Sequence, residues 1–314
     1  MSTPRLDPAA VRRSLKSAGL TAQKRFGQNF LADVDVLEAI LEAAAVTPGR
    51  TVLEIGPGLG ILTGALLEGG AALTAVELDR GMVNYLAYTF EGQIAAAEAA
   101  AEAGLHPPEP NPAGSLRMVE GSVLDVDLQG LMAPPYDVVA NIPYHVTSPI
   151  LHVMLGGEAP RPDRAVLMVQ REVAERIAAP VGEMSYLSVF VQYHANVRIV
   201  RRVPREAFEP APEVESAVIE LTVRPGDGEW RLPDEMEDDL WRLVQAGFRE
   251  RRKMLHNVLP RQLPIDGADV VGALAAVGID GNRRPQTVSV AEWIALLGVL
   301  GPLPAPRPGH RGGE

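Results

Sequence analysis

A tight, glycine-rich turn between an apolar strand and a helix constrains the fold of this chain more than any other feature. The segment VLEIGPGLGILT (52–63) places Gly56, Gly58 and Gly60 between a short apolar run and a helical pattern. Glycine lets the backbone turn sharply and lets a ligand approach it closely. The segment therefore predicts the first strand–turn–helix unit of a ligand-binding α/β sheet.

The alternation of strand and helix continues along the chain. Helices are expected at 8–18, from Asp33 to about Ala45, from about Leu59 to Leu67 and from Asp79. Strands are expected at the apolar runs 51–55, 72–77, 116–120, 136–140, 164–170, 197–203 and 216–223. Such alternation is typical of a doubly wound parallel sheet. The last two strands predict an antiparallel pair that closes this α/β sheet.

The character of the sequence changes after about residue 224, where strand patterns give way to helical ones. We expect a first domain at 1–224 and a small helical domain at 225–314, with a disordered tail from Pro302. Helices of the second domain are expected at about 236–247, 250–259, 268–277 and 290–298.

The segment 91–114 stands apart from both patterns. Its Ala/Glu part favours helix and its Pro-rich end cannot continue one. Two interpretations stay open: a solvated helix extension followed by a flexible loop, or an element that docks a partner.

Composition excludes several kinds of site. Cys is absent, and the six His show no metal-ligand spacing, so we expect neither disulfides nor a metal. No run approaches the roughly 18 apolar residues of a membrane helix. The first twenty residues carry charges where a secretion signal is apolar. We therefore expect a cytoplasmic protein without a membrane partner.

The net charge of −11 opposes nucleic-acid binding, yet the charges are segregated. Basic residues cluster at 198–205 and again at Arg249, Arg251, Arg252 and Lys253. If a helix starts there, the first, third and fourth of these cations lie on one side of it. The cluster predicts a phosphate-binding face, with an ordinary solvated face as the alternative.

The spacing of the glycine turn bears on its ligand. It reads GxGxG, whereas the dinucleotide fingerprint GxGxxG needs glycine at Ile61. Glu54 before the turn suits a cationic ligand bearing an amino acid, and Glu77 at the end of the next strand can accept both hydroxyls of a ribose. The alternative is a simple tight turn and a solvated acid.

Asn141, Ile142, Pro143 and Tyr144 follow the strand at 136–140 and suit methyl transfer to the exocyclic amine of adenine. The lone pair of this amine is delocalised into the ring. The Asn141 side-chain oxygen and the Ile142 carbonyl can accept its hydrogens, which favours a pyramidal, nucleophilic nitrogen. Pro143 fixes the backbone, and Tyr144 can stack on the purine. The alternative is a proline turn with a buried tyrosine.

This NIPY motif resembles the N-[LI]-P-Y motif of the ribosomal RNA adenine N6,N6-dimethyltransferases, the KsgA type of bacteria. The resemblance covers about 21–298, in order and in both domains. The C-terminal matches favour this type over the related erythromycin-resistance methyltransferases of large-subunit RNA. The other similar stretches are KRFGQNFL (24–31), VQREVAERI (169–177), FEPAPEVESAVIEL (208–221), FRERRKMLHNVL (248–259) and RRPQTVS (283–289).

The resemblance implies a Rossmann-like methyltransferase sheet that binds S-adenosylmethionine. Asn29 and Leu31 would contact the methionine and adenosine parts of the cofactor. Gly56, with Gly58 and Gly60 in the same turn, would lie on the cofactor's amino-acid end and Glu77 on its ribose. Asn141 would join the cofactor and substrate sites.

Two further positions are expected at the site. Phe208 would form the other wall of the adenine pocket, with a core aromatic as the alternative. Ser122 stands where the family usually has an acid that accepts a hydrogen bond from the cofactor's adenine. A hydroxyl can also accept, so Ser122 is expected as a weaker contact, and Asp125 is a possible substitute.

The resemblance also implies the partner. The basic cluster of 249–253 would rest on phosphates of small-subunit ribosomal RNA or its precursor particle, with Arg283 and Arg284 as weaker candidates. We expect a monomer that dimethylates two adjacent adenines near the 3′ end of this RNA, with a checkpoint role in ribosome assembly left open. The alternatives are an erythromycin-resistance type of enzyme, a binding factor of ribosome biogenesis and a small-molecule N-methyltransferase.

Overall fold

The computed structural model describes residues 6–23, 26–157, 159–225 and 232–305, which form two compact units. Among the described residues, the first unit comprises those up to Ala174 together with Asn196–Val223, and the second comprises Glu175–Ala195 together with those from Arg224 onward. This division differs from the single boundary expected near Pro225. The reason is that Met184, Val189 and Tyr193 pack in the hydrophobic core of the helical unit.

The first unit is built on a sheet of seven strands, which are β2 (Thr51–Ile55), β3 (Ala72–Glu77), β4 (Leu116–Glu120), β5 (Asp137–Asn141), β6 (Arg164–Gln170), β7 (Ala195–Val203) and β9 (Ser216–Val223). Their order across the sheet is β4-β3-β2-β5-β6-β9-β7. Strands β2 to β6 pair in parallel, and β9 is antiparallel to β6. The expected doubly wound α/β sheet is confirmed, and the last two predicted strands are neighbours at its edge.

Two strands of two residues each were not expected from the sequence. β1 (Phe30–Leu31) and β8 (Phe208–Glu209) form a separate antiparallel pair, in which Leu31 lies opposite Phe208. Two residues are too few to show a strand period. This small sheet joins two segments that are distant in sequence, both of which were predicted to serve the site.

Helices begin where the sequence supplies capping residues. The side chains of Asp7, Asp33 and Asp79 accept backbone N–H groups as N-caps. They do so at the starts of α1 (Pro8–Ser17), α2 (Val34–Ala44) and α4 (Arg80–Thr89), respectively. These helices and the others associated with the sheet are α1 (Pro8–Ser17), α2 (Val34–Ala44), α3 (Ile61–Glu68), α4 (Arg80–Thr89), α5 (Glu91–Glu102), α6 (Leu128–Leu131), α7 (Thr147–Gly156) and α8 (Arg171–Ile177).

The segment 91–114 begins as a helix, as its Ala/Glu composition predicts. Only Ala97 of α5 is buried, so this helix is largely solvated. The Pro-rich end is tied back to the sheet by Asn111, whose side-chain Nδ2 donates to the carbonyl of Leu73 over 2.7 Å. Docking of a partner by this segment stays a prediction.

The second unit is helical around one hydrophobic core. Its helices are α9 (Tyr186–His194), α10 (Asp234–Arg249), α11 (Leu255–Gln262), α12 (Gly267–Ala276) and α13 (Val290–Leu300). The tail expected to be disordered is in part built into this unit, because Leu303 is buried and its N–H donates to Asp239 over 2.8 Å. Residues 306–314 lie outside the described residues.

The prediction of a helix at 250–259 is wrong for the first half of that range. α10 runs on to Arg249, residues 250–254 form a turn, and α11 begins at Leu255. Phe248 is the last residue of α10 that is buried, and the charged residues after it offer nothing apolar to pack. The inference that three cations share one helix face is therefore wrong.

Among the helices of the described residues, none is long and apolar enough to cross a membrane.

Candidate active site

A cavity opens at the carboxyl edge of the central parallel strands, within the first unit. The ends of β2, β3 and β5 meet there, as the carboxyl ends of neighbouring parallel strands must, and this edge is where α/β sheets bind ligands. The cavity is lined mainly by residues 26–31, 54–59, 76–78, 121–124 and 141–146. Of the predicted site residues of this unit, all but Gly60 and Phe208 line it.

The three glycines of the β2–α3 turn serve different purposes. All have positive φ, +68° at Gly56, +55° at Gly58 and +75° at Gly60, in the left-handed region that favours glycine. A Cβ at Gly56 would project into open space, which leaves its backbone accessible to a ligand. A Cβ at Gly60 would lie 2.6 Å from Phe90 and 2.7 Å from Leu86. Gly60 is therefore required by packing of α3 on α4, and it does not line the cavity.

Glu77 lies at the end of β3 and is held by backbone amides. Its Oε2 accepts the N–H of Gly58 over 3.0 Å and its Oε1 accepts the N–H of Asp79 over 2.8 Å. The side chain is buried, and this burial raises the pKa of Glu77. Each carboxylate oxygen keeps a second lone pair, so both can still accept a hydroxyl of a bound ribose.

Glu54 lies deeper in the wall, with 1% of its surface exposed. Burial raises its pKa to about 8, against the lowering effect of the Thr63 hydroxyl, which donates to its Oε2 over 2.7 Å. Below that pH the side chain holds its proton. It therefore acts as an anionic neighbour for a cationic ligand only when the ligand's charge lowers this pKa.

Asn141 ends β5, and its side-chain amide has a defined orientation. Its Nδ2 donates to the carbonyl oxygen of Asn29 over 3.1 Å. The amide oxygen is therefore the group that remains to accept a hydrogen from a substrate amine. The N–H of Ile142 is taken by the carbonyl of Met168 over 3.1 Å, and Pro143 leads into a short 3-10 helix at Tyr144–Val146.

Tyr144 is half-buried on the cavity wall and is anchored at its far end. Its hydroxyl shares a hydrogen bond of 2.5 Å with the hydroxyl of Ser216, the first residue of β9. Burial raises the pKa of Tyr144. This hydrogen bond holds the Tyr144 ring in one orientation. The ring face that borders the cavity is therefore already in position to stack on a substrate.

The N-terminal wall is formed by the loop 26–31, which includes the predicted contacts Asn29 and Leu31. The side-chain Nδ2 of Asn29 donates to the carbonyl of Gly27 over 3.1 Å, which curls the loop on itself. Leu31 enters β1 and pairs with β8. The structure thus brings this loop and Asn141, 112 residues apart in sequence, to one cavity.

Phe208 does not form a wall of the cavity in this structure. It is 2% exposed and packs in the core beside Leu31, since the pairing of β8 with β1 turns its ring inward. Leu31 is the member of the pair that lines the cavity. The core interpretation of Phe208, which the sequence left open, describes its position here.

Ser122 lines the cavity at the end of β4, where the family pattern has an acid. Its hydroxyl oxygen accepts the N–H of Leu124 over 3.2 Å. Asp125, the possible substitute, is exposed and is not among the lining residues.

Sequence reasoning missed the apolar part of the lining. Leu78 and Leu124 are 53% and 36% exposed and both border the cavity, while Val123 between strand and loop is buried. Leu78 directly follows the last residue of β3, and a leucine at such a position is a signal that was present in the sequence. Leu78 and Leu124 offer apolar surface on which a flat ring can pack. Ser216 was missed because its role depends on the Tyr144 hydroxyl.

The basic cluster of the second unit lies on a turn. Arg249 ends α10 and donates to the side-chain oxygen of Gln262 over 3.3 Å, while Arg251, Arg252 and Lys253 are exposed on residues 250–254. Three cations on a short connection still form a local positive patch, although not a helix face.

Arg283 and Arg284, the weaker candidates for contacts with RNA phosphates, have different surroundings. Arg283 forms an ion pair with Glu292 at 2.5 Å and lowers the pKa of that carboxyl to about 2. It also donates to the carbonyl of Thr287. Arg283 therefore stabilises the start of α13, whereas Arg284 is exposed.

Comparison with known proteins identifies the family of the chain. The family model "Ribosomal RNA adenine dimethylase" matches residues 19–297. The chain is 41% identical over 296 residues to the ribosomal RNA small subunit methyltransferase A of Sphingopyxis alaskensis, covering 93% of this chain and 98% of the relative. The protein of the same name from Moorella thermoacetica is 37% identical over 305 residues, covering 93% and 97%.

Solved structures show the same fold. The 23S rRNA methyltransferase ErmE is 27% identical with a TM-score of 0.64, over 87% of this chain and 99% of that one. A dimethyladenosine transferase from Plasmodium falciparum has a TM-score of 0.66 at 23% identity, over the same shares. With a family model that spans both units and relatives matched over nearly their whole length, the chain belongs to the ribosomal RNA adenine dimethylase family.

Proposed function

We propose that this protein transfers methyl groups from S-adenosylmethionine to the exocyclic amines of two adjacent adenines near the 3′ end of small-subunit ribosomal RNA. The observation that carries the proposal is the orientation of Asn141, whose Nδ2 is held by Asn29 so that its oxygen is left for the amine. Asn141 lines the same cavity as Glu77. The proposed donor and acceptor sites would therefore lie in one cavity.

The cavity residues fit the proposed cofactor. The open space beside Gly56 admits an amino-acid group close to backbone, and Glu77 offers two acceptors to a ribose. Leu78 and Leu124 provide apolar surface for the adenine ring, and Ser122 offers a hydroxyl at its rim. A cationic group bound beside Glu54 would lower the pKa of this side chain. Glu54 would then lose its proton and become a buried counter-charge to the cation.

The chemistry requires little of the protein beyond orientation. S-adenosylmethionine supplies an electrophilic methyl group on a sulfonium. The Asn141 oxygen accepts a hydrogen of the amine, with the Ile142 carbonyl proposed for the other hydrogen, and the nitrogen lone pair is released from the ring. Tyr144, fixed by Ser216, offers its ring for stacking, which contributes about 1–3 kcal/mol per base. The product ammonium is acidic enough to lose its proton to water.

The RNA contacts are assigned to the second unit. Arg251, Arg252 and Lys253 are exposed, and a turn of this kind can approach phosphates from several directions. The small subunit is proposed as substrate because the relatives at 37% and 41% identity carry that name. We propose a monomer that acts on the precursor of the small subunit. A checkpoint role in assembly is an extension of this proposal.

The proposal is tested by offering three acceptors separately with labelled cofactor. These are unmethylated small subunits, unmethylated large subunits and free adenosine. We expect label in the small subunits alone. Label in large subunits alone would favour an activity like that of ErmE, the relative named for 23S rRNA, and label in adenosine would favour a small-molecule enzyme. Tight binding to small subunits without any label would favour a binding factor.

A further inference from the structure

The carboxylate of Asp79 has more partners than its place in the fold requires. It caps α4, with Oδ1 accepting the N–H of Gly81 over 2.8 Å. Its Oδ2 accepts two further hydrogen bonds, from the side-chain amides of Gln23 at 2.9 Å and Gln28 at 3.0 Å. The side chain is 6% exposed. One oxygen therefore serves the helix, and the other holds the N-terminal segment.

The two glutamines are themselves joined. The backbone N–H of Gln23 donates to the Oε1 of Gln28 over 2.9 Å, so the two glutamines that bond to Asp79 are also bonded to each other. Gln28 is part of the loop 26–31 that walls the cavity. Hydrogen bonds to a buried charged acceptor are stronger than neutral ones. Asp79 thus anchors this loop through Gln28.

The next residue along the loop controls the catalytic amide. Asn29 follows Gln28, and its carbonyl oxygen is the acceptor that orients the Asn141 side chain. A displacement of the loop would remove that acceptor and let the Asn141 amide turn. On its other side Asp79 donates its own N–H to Glu77, the expected ribose ligand.

We propose that Asp79 is a positioning residue, which holds the loop 26–31 against the cavity and, through the Asn29 carbonyl, fixes the Asn141 amide with its oxygen free for the adenine amine. The catalytic part of this inference rests on the proposed function. The competing explanation is that Asp79 serves only as the N-cap of α4. The two explanations differ in what they require of Oδ2.

Asp79→Asn separates them. Asn keeps the size of Asp and is as good an N-cap, so its oxygen can still accept the N–H of Gly81. The Asn NH2 group then takes the place of Oδ2, to which the side-chain amides of Gln23 and Gln28 donate in the wild type. Because all three groups are donors, both hydrogen bonds are lost. In the cofactor-free protein we expect hydrogen exchange of the backbone amides of 26–31 to accelerate at least about tenfold. At saturating cofactor and RNA we expect kcat to fall by a similar factor.

Three further variants sharpen the test. Asp79→Asn combined with Gln28→Glu restores the charge and reverses the direction of one hydrogen bond, and should recover most of both losses. Gln28→Leu removes a donor and leaves the cap intact, so it should accelerate loop exchange even if Asp79→Asn folds poorly. The matched control is Asp127→Asn, because Asp127 caps α6 through the N–H of Gly130 and does not line the cavity. It should leave loop exchange and kcat unchanged.

The inference is overturned if Asp79→Asn leaves both loop exchange and kcat at the wild-type values. It is also overturned if the paired Gln28→Glu change restores neither. Failure of the proposed function is a separate result. In that case the wild-type protein methylates no small-subunit RNA, while hydrogen exchange of the loop still decides whether Asp79 holds it.

Discussion

The side-chain Nδ2 of Asn141 donates to the backbone carbonyl of Asn29 over 3.1 Å. An asparagine amide can present either its donor or its acceptor to a substrate, and this bond fixes the choice. It leaves an acceptor for an amine hydrogen, which is what methyl transfer to an amine requires. The orientation of the proposed catalytic amide therefore depends on a loop more than a hundred residues earlier in the chain.

The first prediction concerns that orientation. Asn141→Ala removes the acceptor for the amine, and we expect methyl transfer at saturating substrates to fall by about 10²–10³-fold, the loss typical of removing one polar group that stabilises a transition state. Binding of small subunits should persist. Parallel turnover and pull-down assays measure the two effects. Turnover close to that of the wild type would contradict the role given to Asn141.

The second prediction concerns the anchor of Tyr144. Tyr144→Phe and Ser216→Ala each remove the hydrogen bond of 2.5 Å between their hydroxyls. Each should lower kcat/KM for RNA by about three- to tenfold, the effect of a typical hydrogen bond. The double variant should lose no more than the worse single one, because the two changes remove the same interaction. Additive losses would show that the hydroxyls act separately.

The third prediction is a pH dependence of stability. Folded Glu54 keeps its proton up to about pH 8, whereas its ordinary pKa is 4.5. Between these values the folded state binds more protons than the unfolded state, so the free energy of unfolding falls as pH rises. The contribution is complete below pH 4.5 and is lost by about pH 8. The slope from this group approaches about 1.4 kcal/mol per pH unit.

Glu54→Gln isolates that contribution. Gln keeps the size of the side chain and an oxygen for the Thr63 hydroxyl, and it does not titrate. Urea unfolding of both proteins at about pH 5.5 and 7.5 gives the difference in slope. The wild type should lose more stability over this interval than the variant. Equal losses would mean that Glu54 ionises normally in the folded protein.

The fourth prediction concerns the basic turn at 250–254. Replacing Arg252 and Lys253 by Ala should weaken binding of small subunits and flatten its salt dependence by up to about 0.7–0.9 units of log–log slope for each lost phosphate contact. Cofactor affinity should stay the same, because no residue of the cavity changes. Arg261→Ala, which removes an exposed cation from α11, is the control and should have a smaller effect. An unchanged salt slope would contradict this prediction. The arginines at 198–205 would then be the next candidates for contacts with RNA phosphates.

Much of the fold followed from the sequence, because its signals are local and strong. The strands around Val52 and Val139 are mostly apolar, as is typical of strands covered on both faces. Asp33 marks the start of its helix through a capping bond that needs only neighbouring residues. The turn at 250–254 was missed because burial, not helix propensity, decides where α10 ends at Arg249.

The site was predictable to the extent that motifs lie at strand ends. The family resemblance assigned Glu77 and Asn141 to one site, and in the structure parallel strands bring both to one edge of the sheet. The position of Phe208 was not predictable, because it depends on the pairing of β1 with β8, and each of these strands has only two residues. The roles proposed for Ser216 and Asp79 depend on hydrogen bonds between segments far apart in sequence, which no periodicity reports.

The most direct test of the account maps the methylated nucleotides. Unmethylated small subunits are incubated with the protein and labelled S-adenosylmethionine, and the RNA is digested and analysed by mass spectrometry. The account predicts N6,N6-dimethyladenine at two adjacent positions near the 3′ end of the small-subunit RNA, and no such product with Asn141→Ala. Methylation at any other base, or no methylation of this RNA by the wild-type protein, would contradict it.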